Sequence, residues 1–188
     1  MKLGVQVAIG GVVAVVAAAL GFYVASLPPQ AKVGGAPFTR QIAPKAMPAL
    51  SFQDESGRPR TLADFRGKLV VLNLWATWCP PCREEMPALD HLQTQLGGRD
   101  FEVLALSIDQ NGTDQVRNFF TEVGIKSLPI HIDPTARAGF TLGVPGFPTT
   151  LLIDREGREI GRHTGIAKWD SPEIVAELRR RLNEGRAK

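Results

Sequence analysis

Apolar residues recur along this chain in several rhythms, and each rhythm predicts a different kind of element. From Leu3 to Leu27 the only ionisable side chain is Tyr23, and Val5 to Ala25 is almost all Val, Ala, Ile, Leu, Gly and Phe. That is enough to span a bilayer as a helix. The pattern then breaks into Pro28-Pro29, Gly34-Gly35, Pro37, Pro44 and Pro48, with little periodicity, and reads as a linker reaching about 3 Å per residue where extended. Leu50-Ser51-Phe52 and Arg60-Thr61-Leu62, joined across Asp54 to Arg58, predict a hairpin. The unbroken run Leu69 to Leu74 predicts a core strand, apolar on both faces.

After it, Cys82, Met86, Leu89, Leu92 and Leu96 fall on one helical face that ends at Gly97-Gly98, with Pro87 expected to kink the helix. Phe101 to Ile108 reads as a second core strand. Thr113 or Asp114 is expected to cap a helix through Val116, Phe119, Phe120 and Val123, stopped by Gly124. Leu128 to Ile132 suggests a short strand, and Asp133-Pro134 the start of another helix. Strand Leu151 to Ile153 turns at Arg155-Glu156-Gly157 into a partner near Glu159 to Arg162. A last helix runs from Asp170-Ser171-Pro172-Glu173 to Leu182. Strands alternating with helices, then a hairpin and a helix, predict an α/β fold with a mixed sheet flanked by helices. The expected boundaries are an anchor or signal sequence at 1–27, a linker at 28–48 and a folded domain at 49–185.

A length of 188 residues fits one domain plus an appendage. The net charge of +3 suggests no polyanion partner, because Lys2, Lys32, Arg40 and Lys45 precede the domain while every acidic residue lies within it. The domain is close to neutral, and nucleic acid is not an expected ligand. An uncleaved apolar N-terminal segment implies a single-pass protein of the inner (cytoplasmic) membrane, with the rest of the chain facing the periplasm or cell exterior.

There are only two cysteines, Cys79 and Cys82, too few for a secreted fold stapled by disulfides, so the pair is available for chemistry. A strand leading into C-x-x-C at the start of a helix is the layout of a dithiol/disulfide site. Cys79, at the helix N-terminus, is the expected nucleophile, because unpaired N–H groups and the macrodipole favour its thiolate. Cys82, one turn later and covered, is the expected resolving thiol. Pro80 and Pro81 have no N–H, leaving the Cys79 thiolate a local donor only at Cys82. This implies weaker stabilisation than in a strongly oxidising DsbA-type site, hence a reductant or isomerase. No second Cys pair and no His spacing completes a zinc site, and His91, His131 and His163 are far apart in sequence.

At Trp78-Cys79-Pro80-Pro81-Cys82-Arg83-Glu84-Glu85-Met86-Pro87 the chain resembles the thioredoxin superfamily, in its membrane-anchored TlpA/ResA/CcmG-like branch. The resemblance covers roughly 45 to 185 and implies a thioredoxin-like fold with an N-terminal hairpin and one N-terminal transmembrane helix. It also implies a cis bond at Phe147-Pro148 that frees the Phe147 peptide to pair with substrate. Trp78, next to the expected nucleophile, is expected to form the apolar rim that substrate peptides meet. Glu85 matches a glutamate that relays the proton of Cys82. Ordinary thioredoxins carry a buried aspartate six residues before the first cysteine; here it is Asn73, which cannot titrate. The implied function is a disulfide reductase for extracytoplasmic client proteins, in cytochrome c maturation or related metalloprotein assembly. It would be fed by a membrane electron donor of the CcdA/DsbD type and need no cofactor. The alternatives are a thiol peroxidase of the AhpC/TSA kind, whose peroxide cradle is replaced here by Leu72 and Ala76, and a Sco-like copper-binding assembly protein, which would use His131 or His163.

Overall fold

The computed structural model describes residues 37–184. The expected anchor and the first part of the expected linker lie outside them. Among the described residues no helix is long and apolar enough to cross a membrane.

The fold is built outward from β4 (Leu69–Trp75), in which every residue is buried, as its unbroken apolar run requires. On one side β4 pairs in parallel with β5 (Phe101–Ser107), and on the other antiparallel with β7 (Thr149–Ile153). The sheet continues through β8 (Arg158–Thr164) to β1 (Thr39–Ala46) at one edge. At the other it passes through β6 (His131–Ile132) to the hairpin β2 (Ser51–Asp54) and β3 (Pro59–Thr61). The spatial order is β1-β8-β7-β4-β5-β6-β2-β3. The helices are α1 (Pro80–Leu96), α2 (Thr113–Val123), the single turn α3 (Ala138–Thr141) and α4 (Pro172–Glu184). This is the expected thioredoxin-like mixed sheet. On α1 the buried positions are Cys82, Glu85, Met86, Leu89, Asp90 and Leu92, the predicted face short of the half-buried Leu96, plus two acids.

Four expectations need correction. Residues 39–46, placed in the linker, form β1, an edge strand on β8. An edge strand is held by main-chain bonds and needs no apolar rhythm. Pro44 is tolerated because it falls where the register shifts between Arg40 and Lys45. Helix α3 starts at Ala138, not at Pro134: Asp133 closes a tight turn first, accepting from the Thr135 N–H at 2.9 Å and from the Ala138 N–H at 2.7 Å. The N-cap of α2 is Gly112, at φ 84°, rather than Thr113 or Asp114. The strand expected over Leu128 to Ile132 is confined to β6, because the Ser127 and Leu128 N–H groups donate to the carboxylate of Asp90 and Pro129 has none to give.

Candidate active site

The turn that carries the cysteine pair is the step from β4 into α1. Cys79 is the N-cap of α1, in extended conformation, with Pro80 and Pro81 in the first two helical positions. Cys79 and Cys82 are joined in a disulfide with Cα atoms 5.3 Å apart. Cys79 retains 5% of its surface and Cys82 none, so the sulfur an incoming chain can reach is that of Cys79.

One residue ties this turn down. All the polar groups of Thr77 are used. Its N–H donates to Asp109 Oδ2 at 2.9 Å and its hydroxyl to Asp109 Oδ1 at 2.7 Å. The hydroxyl accepts from Gln115 Nε2 at 2.6 Å, and the carbonyl accepts from the Arg83 guanidinium at 3.2 Å. Asp109 is buried and is held in turn by the Ser107 hydroxyl at 2.7 Å. The Arg83 guanidinium also lies over the ring of Phe119, 4.6 Å from its centroid. The loop after β5, α2 and α1 thus converge two residues before Cys79. Sequence reasoning missed Thr77, Asp109 and Gln115, because nothing local marks a partner more than 30 positions away. Thr77→Val keeps shape but strands a buried carboxylate oxygen and an amide. It should lower unfolding free energy by about 1–3 kcal/mol, measured by denaturant titration of the oxidised protein, and an unchanged midpoint would show the clamp to be idle.

Behind the disulfide lies Glu85, one helical turn after Cys82 and 2% exposed. Its Oε1 accepts from Asn73 Nδ2 at 2.8 Å, and its Oε2 from the Ala167 N–H at 3.1 Å and Trp169 Nε1 at 2.9 Å. Burial outweighs these three donors and pushes the carboxyl up to about 7. Asn73 is fully buried and donates also to Thr150 Oγ1 at 2.9 Å. Its Oδ1 is buried with no partner among the described residues. That oxygen has a use when Glu85 is protonated: a half-turn of the Asn73 amide turns Oδ1 towards the new O–H, and the Thr150 hydroxyl can donate where it had accepted. A non-titrating amide can therefore serve both states of its neighbour. Trp169, fully buried, was not anticipated; Trp75 is fully buried too, against Phe119 and Phe120.

The Phe147-Pro148 bond is cis. The β7–β8 ladder begins just after it, at Thr149, and the Pro148 carbonyl accepts from the Gly165 N–H at 2.9 Å. Trp78, 62% exposed, meets Phe147 edge-on with centroids 6.4 Å apart. The structure thus joins Trp78 to Phe147 and Asn73 to Glu85, around the Cys79–Cys82 pair. His131 is buried between Phe52 and Phe65, and that burial pushes its imidazole down. It lies on β6, whereas His163 lies on β8, on the far side of β5, β4 and β7. Among the described residues no three His, Cys, Asp or Glu side chains gather where they could hold a metal ion. The peroxidase positions Leu72 and Ala76 are fully buried and offer no hydroxyl.

The family described as Redoxin matches residues 43–178. The thiol-disulfide oxidoreductase ResA of Bacillus thuringiensis (strain Al Hakam) is 36% identical over 121 residues, 64% of this chain and 69% of the relative. ResA of Halalkalibacterium halodurans is 32% identical over 141 residues, 74% of this chain and 79% of the relative. Among solved structures, a thiol:disulfide interchange protein of the thioredoxin family from Chlorobium tepidum TLS is similar with a TM-score of 0.57 and 29% identity, covering 73% of this chain and 97% of that one.

Proposed function

Given that this chain belongs to the Redoxin family and is a ResA-like thiol:disulfide oxidoreductase, we propose that it reduces disulfides in client proteins outside the cytoplasm. The observation that carries the reading is the layered site: a reachable sulfur at Cys79, a sealed one at Cys82, and a buried carboxyl held near neutrality one turn behind it.

In the reduced enzyme the Cys79 thiolate attacks one sulfur of the client disulfide. A Cys79–client disulfide forms and the other client sulfur leaves as a thiolate, which takes a proton from water. Cys82 then gives its proton to the Glu85 carboxylate and attacks the Cys79 sulfur, forming the Cys79–Cys82 disulfide and releasing the second client sulfur as a thiolate that water likewise protonates. Two electrons pass from the enzyme to the client, and a donor must restore the dithiol. The N-cap position lowers the thiolate's energy through the helix dipole, but two prolines remove the nearest donors, which favours a reducing pair. Residues 1–27 would tether the domain to the membrane, and a CcdA/DsbD-type donor in that membrane would supply the electrons. The clients would be cytochrome c precursors or proteins of metal-centre assembly.

The test is the reduction potential of the Cys79–Cys82 pair against glutathione or dithiothreitol. A value of about −250 mV or lower is expected, and one near roughly −120 mV would make the protein an oxidant and remove this reading.

A further inference from the structure

Trp169 is fully buried, yet its indole N–H is spent on a carboxyl group rather than on the main chain: Nε1 donates to Glu85 Oε2 at 2.9 Å. The same oxygen takes the Ala167 N–H at 3.1 Å, so the loop before α4 supplies both donors on that side. Two rings pack on the indole. The phenyl of Phe38 is tilted against it with centroids 5.5 Å apart, and the His163 imidazole meets it edge-on at 5.7 Å. Phe38 lies just before β1 and is closely seated, since a Cβ on Gly161 of β8 would stand 3.1 Å from Phe38 Cβ. The Pro37 carbonyl lies 3.2 Å from His163 Nδ1, and the Ile166 carbonyl 3.4 Å from Nε2. The contacts therefore run from a half-buried phenyl through a buried indole to a carboxyl that is itself buried.

We propose that Trp169 and Phe38 are positioning residues for the resolving step: Trp169 fixes one carboxyl oxygen of Glu85, and Phe38, laid on the indole, keeps water from both. This rests on the reductase reading above and deepens it. The two residues act in opposite directions. The indole N–H stabilises the carboxylate, whereas the cover raises the cost of its charge. Burial is the larger cause, and the carboxyl sits at about 7. The chain entering the edge strand β1, which takes no part in the sulfur chemistry, thus helps to decide how readily Glu85 takes a proton. The titratable side chains around this corner are Cys82, one turn before Glu85 on α1, His163 on β8, and Lys168 and Asp170 on either side of Trp169, with Asp170 paired to His91 at 3.0 Å. From the sheet come the non-titrating Asn73 and Thr150. Among the described residues none forms an ion pair with Glu85, so donors and cover set the balance rather than a nearby charge.

The test reads Glu85 directly in the oxidised full chain, held in non-ionic detergent, by carboxyl-carbon NMR of glutamate-labelled protein. The Glu85 signal is assigned by its loss in Glu85→Gln. Trp169→Phe keeps a ring but removes the N–H, and its carboxyl should titrate roughly 0.5 to 1 pH unit higher than in the unmodified protein. Phe38→Ala keeps every donor but opens the cover, and its carboxyl should titrate lower by about the same amount. Phe38→Leu should restore the original midpoint. The fall in Phe38→Ala should persist in a His163→Gln background, which excludes the imidazole as its source. In single-turnover reduction of a disulfide peptide, decay of the Cys79 mixed disulfide should show its pH inflection displaced in the same two directions. Mere loosening of the fold would instead lower the midpoint in both variants. That result, an unchanged midpoint in Phe38→Ala, or loss of its effect in the His163→Gln background overturns the assignment and leaves the reductase reading intact. Should Trp169→Phe fail to fold, the Phe38 series decides alone. Failure of the unmodified protein to reduce the peptide removes the reductase reading and this inference with it, whatever the midpoints.

Discussion

Cys82→Ser should accumulate as a mixed disulfide with its client on Cys79, whereas Cys79→Ser should capture nothing and lose turnover altogether. The asymmetry follows from burial and helix position. Cys79 is the N-cap residue, with the dipole behind it and 5% of its surface open, while Cys82 is sealed beneath it. An external disulfide can be attacked in line only by the outer sulfur. Once that bond has formed, the only sulfur positioned to break it is Cys82, whose Cα is 5.3 Å from that of Cys79. Serine in its place cannot expel the client, and the intermediate persists. Non-reducing electrophoresis and mass spectrometry of both variants with a disulfide peptide would read this directly. Capture by Cys79→Ser would reverse the roles assigned to the two thiols.

What the sequence made legible was whatever is local or periodic. The C-x-x-C at a strand-to-helix step, the face of α1 through Met86, Leu89 and Leu92, and the all-buried strand β4 each depend on residues a few positions apart. The cis bond at Phe147-Pro148 came through resemblance, since a Gly/Pro-rich loop by itself favours a trans bond. The strand β1 stayed hidden because main-chain pairing at an edge leaves no apolar rhythm and Pro44 argues against a strand. The Asp133 turn stayed hidden because an aspartate before a proline fits both a helix cap and a tight turn. The supports of the site are the least legible of all. Thr77 meets Asp109 across 32 positions, and Glu85 meets Trp169 across 84. Resemblance pointed to Glu85, but the depth that makes it useful is a property of the fold.

That depth gives Glu85 a pH signature that no exposed acid can imitate. The carboxyl titrates at about 7 in the fold against 4.5 in the open chain, with burial as the leading cause. Above neutrality it is a carboxylate that can take the proton of Cys82; below about pH 6 it is mostly protonated and cannot. The resolving step of the unmodified protein should therefore slow as pH falls through 7. Glu85→Gln should be slower by roughly 10- to 100-fold at pH 8, show no inflection near 7, and converge with the unmodified protein near pH 5. Glutamine fits the site: its oxygen can accept from Ala167 and Trp169, and its amide can donate to the flipped Asn73. Loss of rate is then not loss of fold. The sign for stability is the opposite of the sign for rate. The folded state holds a proton between pH 4.5 and about 7 that the unfolded chain has lost, so the protein is stabilised on the acid side and gives up on the order of 3 kcal/mol as pH rises through that window. Glu85→Gln should flatten that slope. Glu84, exposed on the same turn, supplies the control: Glu84→Gln should change neither profile. Equal resolving rates in the two glutamine variants at pH 8 would remove Glu85 from the proton path and leave it a buried strut between β4, α1 and the loop before α4.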